Sequence, residues 1–146
     1  MVSTKDGEAM KTLNPYINFA GKCREAITFY KDCFKGEITA LQTYAEAGMD
    51  VPEPFKQKVL HSELKAEDIV LMASDGQPGV AVTVGDNITL SIILTDQAEQ
   101  ERIFNVLADG GKVDLALQDT FWGARFGIVT DRYGIHWQLN CDKKPA

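Results

Sequence analysis

Apolar residues recur along this chain with two periods, and the succession of periods comes round twice. The run NPYINF (14–19) alternates apolar and polar positions, as a short half-buried strand does. KCREAITFYKDCFK (22–35) follows, where Cys23, Ala26, Ile27, Tyr30, Cys33 and Phe34 keep the spacing of one helical face. Gly36 is placed to end that helix in a left-handed conformation. Strand-like runs then occupy 37–45, 58–66 and 68–74, with a tight hairpin at Ala66-Glu67-Asp68.

The order begins again at NITLSIIL (87–94). A second helix follows, with Asp96 as N-cap and Glu99 at the capping-box spacing. Ile103, Val106 and Leu107 form its apolar stripe, and Gly110-Gly111 stops it. Strands at 112–120, 124–131 and 135–141 complete the series. Helix starts about 75 residues apart, each in the order strand–helix–strand–strand–strand, predict an α+β fold of two βαβββ modules. One helix covers only one face of a small sheet, so the other face must pack, meet a partner or line a cavity. Two such modules side by side curl their open faces into a shared cup, and pockets between modules are common ligand sites. The organisation expected is a polar, mobile leader over 1–12, modules over 13–75 and 87–141, a linker over 76–86 and a tail over 142–146, one domain overall. Met10 could mark an alternative start. The loop 47–57, with two prolines, Met49 and Phe55, reads as a lid, a subunit contact or a disordered insertion.

The last strand carries the most information. In DRYGIHWQLN (131–140), Ile135, Trp137 and Leu139 alternate with His136, Gln138 and Asn140. One face is therefore apolar, and the other carries the imidazole and the two carboxamides, which line a site or face water. His136, beside the turn, is expected at the rim and in water.

Composition restricts the chemistry. With 45% hydrophobic and 25% charged residues the chain has an ordinary globular make-up. A net charge of −6 argues against a nucleic-acid groove, which needs clustered Lys and Arg. No apolar run approaches the roughly 20 residues of a membrane span, and MVSTKDGEAMKTL lacks the apolar core of a signal peptide. Cys23, Cys33 and Cys141 form no CxxC and cannot all pair, as expected of reduced thiols in a cytoplasmic protein. There is no P-loop, dinucleotide fingerprint or HExxH, and two histidines make no convincing Ser-His-Asp arrangement.

NPYINFAGKCREAITFY, VLHSELKAEDIVLMASD and FWGARFGIVTDRYGIHWQLN, together spanning about residues 13–141, carry a family likeness. The sequence resembles the vicinal oxygen chelate (glyoxalase/bleomycin-resistance/dioxygenase) superfamily, and within it the PhnB-like branch. The resemblance implies paired βαβββ modules, a cup-shaped site and a homodimer. Some PhnB-like proteins bear a ubiquinone-methyltransferase name, yet no glycine-rich nucleotide loop of that kind follows a strand here. Active members hold a divalent metal with His and Glu on the open strand faces. Laid on DRYGIHWQL, the Glu of the final DPDGxxxEL motif falls at Gln138. The first-strand His falls at Asn14 or Pro15, with Asn14 preferred because it turns Tyr16 and Asn18 toward the cup. The second-module His falls near Thr89 to Ser91. A carboxamide is a poor ligand for metals that prefer imidazole, thiolate or carboxylate, so the inherited metal positions read as largely lost.

The expected ligand-lining groups are Tyr16, His61, Glu63, Trp122 and Gln138. The main expectation is a metal-free, dimeric small-molecule-binding protein, with no cofactor, nucleic acid or membrane as partner. The alternative is a metal-dependent lyase or isomerase, or a transferase, acting on a small oxygen-rich substrate. There His61 and Glu63, two apart on one strand face, hold the metal, or Glu63 is the base. A third reading is a structural dimer with a filled cup. Trp122 fits a cup mouth or a subunit contact, Arg125 the surface, and Asp75, Asp131 and Gly134 the building of turns.

Overall fold

The computed structural model describes residues 10–143, so most of the polar leader and the end of the tail lie outside the described residues. The chain divides after Val82 into two compact units. In the first, strand β1 (Tyr16–Asn18) leads into helix α1 (Cys23–Phe34), then strands β2 (Glu37–Thr43), β3 (Val59–Ala66) and β4 (Ile69–Ser74). The second repeats the plan with β5 (Leu90–Leu94), α2 (Gln97–Ala108), β6 (Lys112–Asp119), β7 (Ala124–Thr130) and β8 (His136–Asp142). The sheet orders correspond, β1-β4-β3-β2 and β5-β8-β7-β6, and in each the first and last strands of the unit pair in parallel. The α+β architecture of two βαβββ modules is therefore present.

Register fixes which residues correspond. Met72 on β4 lies between Tyr16 and Glu63, and Gln138 on β8 lies between Ser91 and Ile128. These two rows cross the open faces of their sheets at the same place in the repeat.

The helix faces follow the apolar periods. All six residues expected on the inner face of α1 are buried. On α2 the buried set is Gln100, Ile103, Phe104 and Leu107, while Val106 is only half-buried. Gln100 is fully buried because its amide nitrogen donates to the carbonyls of Arg125 (2.7 Å) and Leu139 (3.1 Å), tying the helix to two strands. Trp137 is 2% exposed and its indole nitrogen donates to Asp131 Oδ2 at 2.8 Å, so the ring is buried without a stranded N–H. Asp131 Oδ1 also accepts from Tyr133 and Ile135, and Gly134 has φ +85°, so both residues build the turn as expected.

Two local expectations are corrected. The left-handed residue that ends α1 is Lys35 (φ 54°), not Gly36. Gly36 is required for space instead, since a Cβ there would lie 2.8 Å from both Ala66 Cβ and the Lys65 carbonyl oxygen. At α2, Asp96 accepts from Ala98 N, one residue short of the capping-box partner, and Glu99 pairs with Arg102. The loop 47–57 is ordered around Tyr44: a 3-10 turn at Glu53–Phe55 packs Phe55 on the Tyr44 ring, centroids 5.0 Å apart, and Ala45 N donates to Lys56 O.

Candidate functional site

On sheet 1 the side chains opposite α1 come from alternate positions, Tyr16 and Asn18 on β1, Met72 on β4, His61 and Glu63 on β3. Ser62 and Leu64, between and beyond, are wholly buried on the helix side. This alternation leaves three titratable groups on one uncovered face. Tyr16 Oη and His61 Nδ1 share a hydrogen bond of 2.9 Å, their rings tilted with centroids 5.7 Å apart. Tyr16 is 52% exposed, so the pair is open to solvent. Glu63 is only 6% exposed, and Thr39 donates to its Oε1 at 3.0 Å. A β-bulge between Ile38 and Ala40 lets the Thr39 hydroxyl reach β3. No sequence signal marked that bulge, and Thr39 was missed for that reason.

Sheet 2 has a different chemistry at its open face. Gln138 sits mid-strand, half-buried, with Asn140 two residues on. Trp122 donates from its indole nitrogen to Asn140 Oδ1 at 3.4 Å and meets Phe126 edge-on at 5.8 Å. Phe121 meets Trp122 edge-on, centroids 5.0 Å apart, and is 97% exposed. His136 is not a free rim histidine: its Nδ1 lies 2.9 Å from Thr130 Oγ1 and its Nε2 3.2 Å from the Gly85 carbonyl. Arg125 packs on the α2 side, its guanidinium 3.9 Å from Glu101. Of the five expected lining residues, Tyr16, His61 and Glu63 share one face of the first unit, and Trp122 and Gln138 belong to the second.

Asp75 is more than a turn former. Its buried carboxylate accepts from Gly21 N (2.9 Å) and Cys23 N (2.8 Å) through Oδ1 and from Val59 N (2.8 Å) through Oδ2. It thus fastens the start of α1 to β3. Burial pushes the adjacent Cys23 thiol up to about 11; its contact with Ser62 opposes this and the Asp75 charge adds to it. Such a thiol is a packing group at neutral pH, not a nucleophile.

The superfamily's metal can be tested against these donors. Asn14 gives its amide to Thr12 Oγ1, and the other inherited positions carry hydroxyls or the Gln138 amide. His61 and Glu63 stand two apart on one strand face, and among the described residues no third His, Cys, Asp or Glu joins them there to hold an ion. Two strong donors are half of a tetrahedral shell, so these residues do not fit a resident Zn²⁺-type centre.

Comparison with known proteins gives the lineage. A family model described as 3-demethylubiquinone-9 3-methyltransferase matches residues 11–140. Protein YjdN of Escherichia coli is 30% identical over 145 residues, covering 90% of this chain and 96% of that protein. Among solved structures, protein PA1353 of Pseudomonas aeruginosa superposes with a TM-score of 0.82 at 36% identity, over 92% of this chain and 100% of that one. A Bacillus cereus PhnB protein, itself called a putative 3-demethylubiquinone-9 3-methyltransferase, gives 0.76 at 25% identity, over 90% and 99%. A glyoxalase-related enzyme from Fulvimarina pelagi shares the fold, with a TM-score of 0.60 at 18% identity over 91% and 89%. The chain belongs to the family described as 3-demethylubiquinone-9 3-methyltransferase, and is PhnB-like by its similarity to the Bacillus cereus protein.

Proposed function

We propose that this PhnB-like chain binds a small oxygen-rich molecule, with no resident metal, on the open face of its first sheet, and works as a homodimer. The observation that carries this reading is the Tyr16–His61 hydrogen bond beside the nearly buried Glu63. Burying a carboxylate on a face that no helix covers costs free energy unless polar partners satisfy it. Tyr16 and His61 offer donors to ligand oxygens, and Glu63 accepts from ligand hydroxyls. The methyltransferase in the family's description is not carried over. The strand-to-helix connections here read Phe19-Ala20-Gly21-Lys22 and Thr95-Asp96, and neither is a nucleotide-cradling glycine loop.

The same residues favour one second reading, acid–base catalysis with Glu63 as base and the Tyr16–His61 pair moving the proton. Native mass spectrometry of the purified protein, with metal analysis alongside, tests the first. A retained small molecule, displaced in Glu63→Gln and His61→Ala, is expected. A protein that retains no small molecule in either form, yet carries stoichiometric metal that Glu63→Gln abolishes, would overturn it. Light scattering checks the homodimer.

A further inference from the structure

The hydrogen bonds around His136 can be counted proton by proton. Thr130 has one hydroxyl proton and two neighbours, Asp114 Oδ2 at 2.6 Å and His136 Nδ1 at 2.9 Å. An ionised carboxylate only accepts, and 2.6 Å is the length of an O–H donated to a charged oxygen. The Thr130 proton therefore goes to Asp114, and Thr130 Oγ1 accepts from an N–H at His136 Nδ1. On the other side of the ring, Nε2 faces the carbonyl oxygen of Gly85 at 3.2 Å, and that oxygen too can only accept. Either neutral tautomer leaves one lone pair pointing at another. Only the imidazolium, with a proton on each nitrogen, satisfies both contacts.

Gly85 lies in the segment that enters the second unit from the first. A second contact brings that segment onto the same hairpin: a Cβ on Gly134 would fall 2.9 Å from Val84 Cγ1, so the turn needs glycine where Val84 crosses it. We infer that the imidazolium of His136 is a pH-sensitive latch that fastens the first residues of the second unit, Val84–Gly85, onto that unit's final hairpin. The charged groups around it are Asp114 on β6, reached through Thr130, and Lys112, whose ammonium is 3.7 Å from the other Asp114 oxygen. Asp86 follows Gly85 in the chain. On its own strand His136 is followed on the open face by the neutral Gln138 and Asn140, and β5 adds Ser91. The nearest opposite charge is thus Asp114.

When the ring loses a proton, one contact turns repulsive. The Gly85 contact is the exposed one, so the segment releases there as pH rises. Backbone order parameters for Val84–Asp86, measured by NMR between about pH 5 and about pH 8, where histidine changes charge, test the latch. In the wild-type chain they are expected near 0.85 at the acid end and to fall toward about 0.6 at the other. His136→Gln and Thr130→Val each remove the pH dependence, and nitrogen shifts of the imidazole show both nitrogens protonated in the ordered form. A wild-type segment equally ordered at both ends of the range would overturn the latch. So would a wild-type profile in His136→Gln, or a singly protonated ring in the ordered form.

Discussion

Helix α1 starts at Lys22 with no capping side chain of its own, whereas α2 starts at Asp96, which accepts from Ala98 N. The first helix is capped across the fold instead. Asp75, more than fifty residues away in sequence, takes the Gly21 and Cys23 amides and a β3 amide as well. One unit therefore makes its helix start depend on the finished sheet, and the other makes it a local event. The same division runs through the open faces. Tyr16, Met72 and Glu63 occupy the row where the second unit places Ser91, Gln138 and Ile128, so the titratable row of one repeat is neutral in the other.

The largest effect expected from this contrast is at Asp75. Asp75→Asn turns an N–H donor toward buried amides that need an acceptor. Hydrogen bonds to a charged group contribute about 1.5–3 kcal/mol each, so a loss of about 3 kcal/mol or more is expected in urea unfolding. The same change should let Cys23 titrate lower, because the Asp75 charge helps hold its thiol up. The sign is fixed by the raised value. The protonated Cys23 stabilises the fold fully below the ordinary 9.0, and that contribution is lost as pH rises through about 11. Thiol-labelling rates against pH in both chains check the shift.

A smaller effect sharpens what the repeats have in common. Gly36 and Gly111 follow the two helices at equivalent places, and each backs onto a strand carbonyl, Lys65 in the first unit and Thr130 in the second. A Cβ would sit 2.8 Å from the first oxygen and 2.2 Å from the second. Overpacking of this kind costs about 1–3 kcal/mol, with Gly111→Ala nearer the upper figure. Thermal unfolding of the two alanine variants ranks them. Equal shifts would mean that the strand behind Gly111 yields more easily than its geometry implies.

Which of these features the sequence announces depends on the range of the interaction. The inner face of α1 and the alternation of His136, Trp137, Gln138, Leu139 and Asn140 are local periods, and they read correctly because 3.6- and 2-residue repeats map directly onto faces. The place of Tyr16, His61 and Glu63 on one sheet face is legible for the same reason. The capping role of Asp75 is not, because its partners are far along the chain and Asp before glycine already explains itself as a turn. Thr39 reaches Glu63 only through a bulge, which shifts register without leaving a mark in residue type. His136 looked solvated because a period says which face a side chain takes, and nothing about Gly85, which comes to meet it.

The smallest effect decides whether the contrast between the helices holds. Asp96 is exposed and makes one cap bond, accepting from Ala98 N at 3.2 Å. Its neighbour Glu99 also lies in the first turn, where its charge favours the positive end of the helix dipole even while it pairs with Arg102. Asp96→Ala should therefore cost only about 1 kcal/mol, with Asp96→Ser recovering most of it. For a chain of this size that is a fall in melting temperature of about 2–4 °C. The first helix has an acid in its first turn too, Glu25, but its N-cap is a lysine that makes no side-chain cap bond. If Asp96→Ala proved as damaging as Asp75→Asn, α2 would have to be fastened by its start as α1 is. The buried amide of Gln100, bonded to both β7 and β8, would then not be the anchor that lets its cap be dispensable.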